Sequence, residues 1–288
     1  MVINIEKIQN KKSIEELLEF SIINVDKPSG PTSFGVDVIV KKALNLNKTS
    51  HFGTLDPMVT GVLPIALNRA CKLMPYFIGK NKTYIGIMRL HKEIPKETLE
   101  KEIKNFLGTI TQLPPIKSRV KRQPRQRTIH TFKILEIDKK DVLFETEVQA
   151  GTYIRKLIHD LGEKISGAHM LELRRTQASI FKEPCVKITE VLDAVEEYKK
   201  GNEQLLRKIL IPGEIISTTL PEVQARKEYV KKLQHGKNLV KEHLKKMQTF
   251  KKGERISIFE NETFIGVYLI INEQDTLAKP LYVLQPIK

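Results

Sequence analysis

An α+β fold of mixed strands and helices is what this sequence predicts, and three observations predict it. Strand-like and helix-like stretches follow one another without the regular strand–helix–strand repeat of a doubly wound sheet. Hydrophobic residues make up 40% of the 288-residue chain, enough for a packed core at a length that suits one large domain and one small one. Beyond residue 220 the chain turns to short strands separated by turn residues, the pattern of a small barrel.

The elements can be justified in order. Ile14, Leu17, Leu18 and Ile22 fall at helical spacing behind a polar Gln-Asn-Lys-Lys-Ser break able to cap them, so residues 1–20 read as an appended helix. Ile22 to Val25 reads as a strand, stopped by the turn cluster from Asp26 to Pro31. Thr32 or Ser33 can cap the next helix, whose apolar positions from Phe34 to Leu44 carry it to about Leu46. The segment from His51 to Gly61 then sets Asp56 between Leu55 and a proline that biases it toward extended backbone. That is one way to present an acid on a stiff loop, although Leu-Asp-Pro alone is an ordinary turn initiator. Val62 to Leu67 is an apolar run that periodicity leaves open between strand and helix start.

Tyr84 to Leu90 alternates as a strand does, and Lys96 to Phe106 is an amphipathic helix ended by Gly108. Ile134 to Ile137 and Val142 to Val148 form a hairpin pair around residues 138–141, followed by a helix from Tyr153 to about Lys164. From about Thr189 to Ile209 the chain is helical and charged, and Pro212-Gly213 breaks it. The tail offers a helix around Arg226 to Leu233, a His235-Gly236 turn, and strands at Arg255 to Phe259 and Phe264 to Ile271.

With 49 Lys and Arg against 34 Asp and Glu, the chain carries +15, a field that favours a polyanion: RNA, DNA or an anionic membrane surface. No run approaches the ~18 apolar residues of a spanning helix. The first residues lack the apolar block of a secretory signal. A cytoplasmic protein without a membrane partner is expected. Cys71 and Cys185 lie far apart without further ligands nearby, so neither a disulfide nor a metal site is indicated. No phosphate-cradling glycine loop of the P-loop type occurs, and no cofactor is expected.

Between Glu102 and Glu136 no acidic residue interrupts a basic stretch that includes Lys117, Arg119, Lys121, Arg122, Arg125 and Arg127. Pro114, Pro115 and Pro124 keep it from being a long helix, so an exposed loop or ribbon lying along a phosphate backbone is expected; a solvated basic face is the simpler alternative. Two more segments combine chemistry with turns, Lys82-Thr83-Tyr84 and Gly151-Thr152-Tyr153-Ile154-Arg155. An arginine at a helix start can pair with a carboxylate on a neighbouring loop and hold it charged.

Together these residues resemble the TruB family of pseudouridine synthases. The motifs are Val-Asp-Lys-Pro-Ser-Gly-Pro-Thr-Ser at 25–33, His51 with Gly-Thr-Leu-Asp-Pro at 53–57, Lys82 to Tyr84, residues 151–155, and Glu-Leu-Arg-Arg-Thr at 172–176. They occur in family order over nearly the whole chain from Ile22. The basic stretch and a tail with Leu220-Pro221, His235-Gly236 and Lys252-Gly253 are similar to the archaeal dyskerin branch, the catalytic subunits of box H/ACA RNA-guided ribonucleoproteins. Phe52 and Ser50 beside His51, and Lys237 after Gly236, depart from the branch's small residues.

The resemblance implies an N-terminal extension (1–20) packing near a C-terminal PUA barrel (217–288), with a catalytic domain at 21–216. It implies that Asp56 is the catalytic carboxylate, as nucleophile toward the uridine or as base at the ribose. Tyr84 would pack on the flipped base, Arg155 would orient Asp56, Tyr153 and Leu173 would line the pocket, and His51 would contact RNA around the flipped nucleotide. Lys27 is left as a turn residue or an RNA contact. The implied partners are a guide RNA, ribosomal and possibly transfer RNA, small scaffold and regulator proteins, and a kink-turn-binding ribosomal-like protein. A stand-alone tRNA enzyme and a catalytically silent RNA-binding scaffold are the rival readings.

Overall fold

The computed structural model describes residues 3–114, 120–246 and 248–286. Its larger sheet is mixed and runs in the order Val186–Lys187, Ser21–Lys27, Thr60–Leu67, Ala168–Ala178, Lys82–Leu90, Asp141–Val148, Arg125–Asp138 and Gly108–Gln112. Thr60–Leu67 pairs antiparallel with Ser21–Lys27 and parallel with Ala168–Ala178, which is where the sheet changes sense. The α+β class expected from the sequence is what the chain adopts. The open run Val62 to Leu67 is strand rather than helix, and seven of the eight residues of Thr60–Leu67 are buried, as befits a strand covered on both faces.

That change of sense depends on Gly61. Its φ is +99°, and a Cβ there would stand 2.2 Å from the Arg175 carbonyl oxygen, so only glycine lets the loop before it enter the sheet at this point. Helices Ser33–Ala43, Ile154–Gly162 and Ile188–Lys199 contribute Val36, Val40, Ile154, Leu157, Val191 and Ala194 to one large core with Leu55, Tyr84 and Leu173. Thr32 is the residue that caps the first of these, its hydroxyl accepting from the Gly35 amide at 2.9 Å.

Several elements differ from expectation. The N-terminal segment forms two short helices, Ile5–Lys11 and Ile14–Glu19, because Ser13 makes a capping box with Glu16 and starts the second; Ile22 belongs to the strand that follows. The charged helix expected from Thr189 to Ile209 is split into Ile188–Lys199 and Gln204–Ile209, with Gly201 at φ +95° between them. The strand at Ile134 to Ile137 extends to Arg125–Asp138, and a further strand, Thr276–Val283, follows those expected in the tail.

The second sheet has the order Glu222–Gln224, Arg255–Glu260, Thr263–Glu273, Thr276–Val283, Leu239–Val240. It is an open path of five strands. Among the described residues its ends are joined by an antiparallel bridge between Ala225 and Leu244, flanked by Arg226 N to His243 O and Lys245 N to Gln224 O. A separate buried cluster draws on both sheets and the N-terminal helices: Phe52, Phe77 and Phe181 pack with ring centroids 5.2–5.8 Å apart, and Phe20 stacks on Phe264 at 5.4 Å. Phe52 is thereby explained, since its ring is buried against Phe77 and Phe181. Lys7 pairs with Glu262 at 2.9 Å and Lys12 with the buried Glu214 at 2.6 Å, tying the first helix to the second sheet and to the segment before it.

Lys82, at the start of its strand, is buried and donates to the carbonyls of Ile78 and Lys80 at 2.9 and 2.7 Å. Burial, with the charge of Arg175 adding, brings its ammonium down from 10.5 to about 8. Between those values the unfolded chain holds a proton that the folded chain has released, so this group makes stability rise with pH across that window. Urea unfolding followed from pH 8 upward should show the rise in the wild type and a smaller one in Lys82→Met. Equal slopes in the two proteins would mean that Lys82 is not the group responsible.

Candidate active site

The Asp56 loop is held from beneath by buried donors. Lys27, fully buried, spends all three N–H bonds on backbone carbonyls: Pro28 and Pro57 at 2.8 Å and Val59 at 2.9 Å. Its role is structural, and burial lowers its pKa while the charge of Asp56 opposes that shift. Ser33 closes the other side, accepting from the Leu55 amide at 2.8 Å and donating to the Leu55 carbonyl at 3.0 Å. Arg175 is also buried and donates from Nε to Val62 O at 2.8 Å and from Nη2 to Gly53 O at 2.9 Å. Between them these three side chains fix the backbone of the loop at Gly53, Leu55, Pro57 and Val59.

Above this support Asp56 meets Arg155. Oδ2 of Asp56 accepts from Nη2 of Arg155 at 2.7 Å, and the two side chains remain 50% and 63% exposed. An ion pair so open to water contributes little stability, so its consequence is geometric: it sets the direction of the carboxylate. Arg155 lies in the first turn of Ile154–Gly162, whose N-cap is Tyr153. Gln112 grips that cap, accepting from Tyr153 N at 3.0 Å and donating to Tyr153 O at 3.2 Å. Gln112 itself is buried on the strand that pairs with Arg125–Asp138, so the basic ribbon and the start of Arg155's helix are mechanically joined.

Tyr84 and Leu173 are buried, and both belong to the large core cluster that also contains Leu55, Val59 and Ile154. In register, Gly61, Arg175 and Tyr84 form one row across three strands. His51 is half-buried. Its Nδ1 lies 2.5 Å from Asp37 Oδ2 and its Nε2 3.1 Å from Thr54 Oγ1, which fixes the ring at the loop's entry. Tyr153 is half-buried at the helix start.

Of the basic residues, Lys121 and Arg122 are exposed, and Arg125 and Arg127 are half-buried on the ribbon strand, the Arg127 guanidinium lying over Gly151. Lys117 and Arg119 fall outside the described residues. Sequence reasoning gave no role to Arg175, Asp37 or Gln112. Arg175 stood within a quoted motif, and Asp37 was a lone carboxylate on an apolar helix face; nothing in the sequence marked Gln112. Among the described residues no helix is long and apolar enough to cross a membrane.

The chain is similar to known proteins over most of its length. Residues 41–154 match the N-terminal domain of the TruB family of pseudouridylate synthases, and residues 155–217 match the C-terminal domain of tRNA pseudouridylate synthase B. The chain is 43% identical over 251 residues to a probable tRNA pseudouridine synthase B of Nanoarchaeum equitans, covering 86% of this chain and 72% of that one. It is 44% identical over 253 residues to the protein of the same name in Methanopyrus kandleri, covering 86% and 75%. Among solved structures it is similar to a chain of a Cbf5–Nop10–Gar1 complex, with a TM-score of 0.88 and 35% identity over 96% of this chain and 89% of that one. A chain of an H/ACA ribonucleoprotein bound to a substrate RNA containing 2′-deoxyuridine matches with a TM-score of 0.88, 34% identity and the same coverage. A carboxylate–arginine pair raised on a buried cationic support, in a chain with these relatives over most of its length, leads to one conclusion: the chain belongs to the TruB family of pseudouridine synthases, enzymes that isomerise uridine in RNA.

Proposed function

We propose that this chain converts uridine to pseudouridine as the catalytic subunit of a box H/ACA guide-RNA ribonucleoprotein, with Asp56 as its catalytic carboxylate. The observation that carries the reading is the likeness to H/ACA complex chains over 96% of the sequence, tail included, joined to the Asp56–Arg155 pair. The proposed units are an extension at 1–20, a catalytic domain at 21–216 and an RNA-binding PUA domain at 217–288. Guide RNA, ribosomal RNA and small scaffold and regulator proteins are the proposed partners, with a kink-turn-binding protein completing the particle in the cytoplasm.

The reaction breaks the bond from N1 to the ribose and makes one from C5, so the base must leave its stack, turn over and release its C5 proton. Extrusion costs a few kcal/mol of lost stacking, which the basic ribbon and the buried aromatic floor at Tyr84 offset. Both routes open to Asp56, attack on the uridine and proton removal at the ribose, require a carboxylate aimed into the site. Arg155 and the Lys27–Ser33–Arg175 support supply that aim in advance, so little reorganisation is left for the reacting complex. Tyr153, Leu173 and His51 are assigned to the pocket wall and to the RNA around the flipped nucleotide. A second reading, a stand-alone tRNA enzyme, is favoured by the names of the sequence relatives.

Asp56→Asn should abolish pseudouridine formation and leave RNA affinity nearly unchanged; turnover close to wild type would remove Asp56 from the mechanism. Neutralising Lys121, Arg122 and Arg125 together should weaken RNA binding and lower its salt slope by about 0.9 for each phosphate of a duplex-like RNA that the ribbon no longer neutralises. An unchanged slope would mark the ribbon as a solvated face. Ribosomal RNA should be modified only when a guide RNA is added. Full activity without it would favour the stand-alone reading.

A further inference from the structure

The two most exposed large apolar side chains among the described residues are Met58 and Phe34, 76% and 68% open to water, ahead of Leu135 at 51%. Both flank the Asp56 loop. Met58 follows Asp56 by two residues, and its sulfur lies 3.9 Å from Ser29 Oγ. Phe34 follows Ser33, whose hydroxyl holds the residue before Asp56 at both its amide and its carbonyl. Phe34 is also the only exposed phenylalanine of the chain's 11. Packing does not require these side chains, since neither belongs to a buried cluster and each leaves apolar area in water.

The reaction explains such a pair. When a uridine is flipped, each of its neighbours is left with an uncovered π-face, and an aromatic ring or a flexible thioether can cover that face without reading the base. A protein partner could also bury an apolar pair, but Met58 lies two residues after the half-open Asp56 and Phe34 directly after the Ser33 that holds Leu55, on a chain with a net charge of +15. We propose that Phe34 and Met58 form an apolar rim that packs on the nucleobases flanking the flipped uridine. The assignment rests on Asp56 being the catalytic carboxylate, and it makes the rim tolerant of flanking sequence.

The test uses the full chain with a substrate RNA carrying 2-aminopurine on one side or the other of the target uridine, with guide RNA present wherever turnover needs it. Phe34→Ala should raise KM about tenfold, leave kcat within about twofold, and lose the fluorescence quenching at one of the two positions; Phe34→Tyr should restore both. Met58→Ala should change the signal at the other position. Urea midpoints should match wild type for all three, because the side chains are exposed. Wild-type KM and quenching in Phe34→Ala would overturn the proposal. So would unchanged RNA parameters accompanied by lost binding of a small scaffold protein, which would make the patch a protein dock. Asp56→Asn in the same assay keeps the two readings apart, since it should lose kcat and keep the quenching; if it turns over, the Asp56 reading fails while the fluorescence still reports on the rim.

Discussion

The buried ammonium of Lys27 is the interaction on which the rest of the site depends. A primary amine taken out of water must find acceptors for its three N–H bonds or lose its proton. Here all three acceptors are backbone carbonyls, Pro57 and Val59 just after Asp56 and Pro28 in the turn after the lysine itself, so satisfying the lysine fixes the loop. Arg175 and Lys82 repeat the arrangement beside it, each donating to carbonyls. Three cations on carbonyl groups leave positive charge uncompensated under the loop, and an anionic carboxylate above is the natural complement. The opposed influences on Lys27, burial lowering its pKa and the charge of Asp56 raising it, express the same coupling from below.

The aromatic seam gives this support something to stand on. Phe52 follows His51 directly and buries its ring against Phe77 and Phe181, so the peptide that leads into the Asp56 loop is anchored by packing on one side and by Arg175 on the other. The same cluster reaches Phe259, Phe264 and Val267 of the second sheet. Docking of the second sheet and stiffness of the Asp56 loop therefore share one set of contacts. A large-to-small change at Phe52 would loosen both, at about 3–5 kcal/mol for a fully buried phenylalanine.

How much of this could be read in the sequence follows from the range of each interaction. The Thr32 cap, the Asp56 turn and the alternation of Tyr84 to Leu90 are local and were legible. Residues 62–67 were ambiguous because a strand buried on both faces has no period; only its neighbours, Ser21–Lys27 and Ala168–Ala178, decide it. Arg174 and Arg175 show the limit clearly. Adjacent in a strand, they point to opposite faces, one pairing bidentately with Asp26 and reaching Glu183, the other buried on the carbonyls of Gly53 and Val62. Nothing local distinguishes them. Gln112 and Asp37 escaped for the same reason, since their partners Tyr153 and His51 lie 41 and 14 residues away.

The site is thus strongly asymmetric. Beneath the loop Lys27, Arg175 and Lys82 are buried and donate to backbone carbonyls; above it Asp56 and Arg155 stand half open, and Met58 and Phe34 are exposed. A carboxylate in water is well solvated and a poor partner for chemistry, and excluding that water is what strengthens its interactions with a reacting group. Among the described residues no element lies over the pair closely enough to bury it. On the proposed reading, the substrate RNA supplies the cover. On that reading substrate binding and completion of the catalytic environment are one event, and activity depends on RNA shape around the uridine more than on the identity of its neighbours.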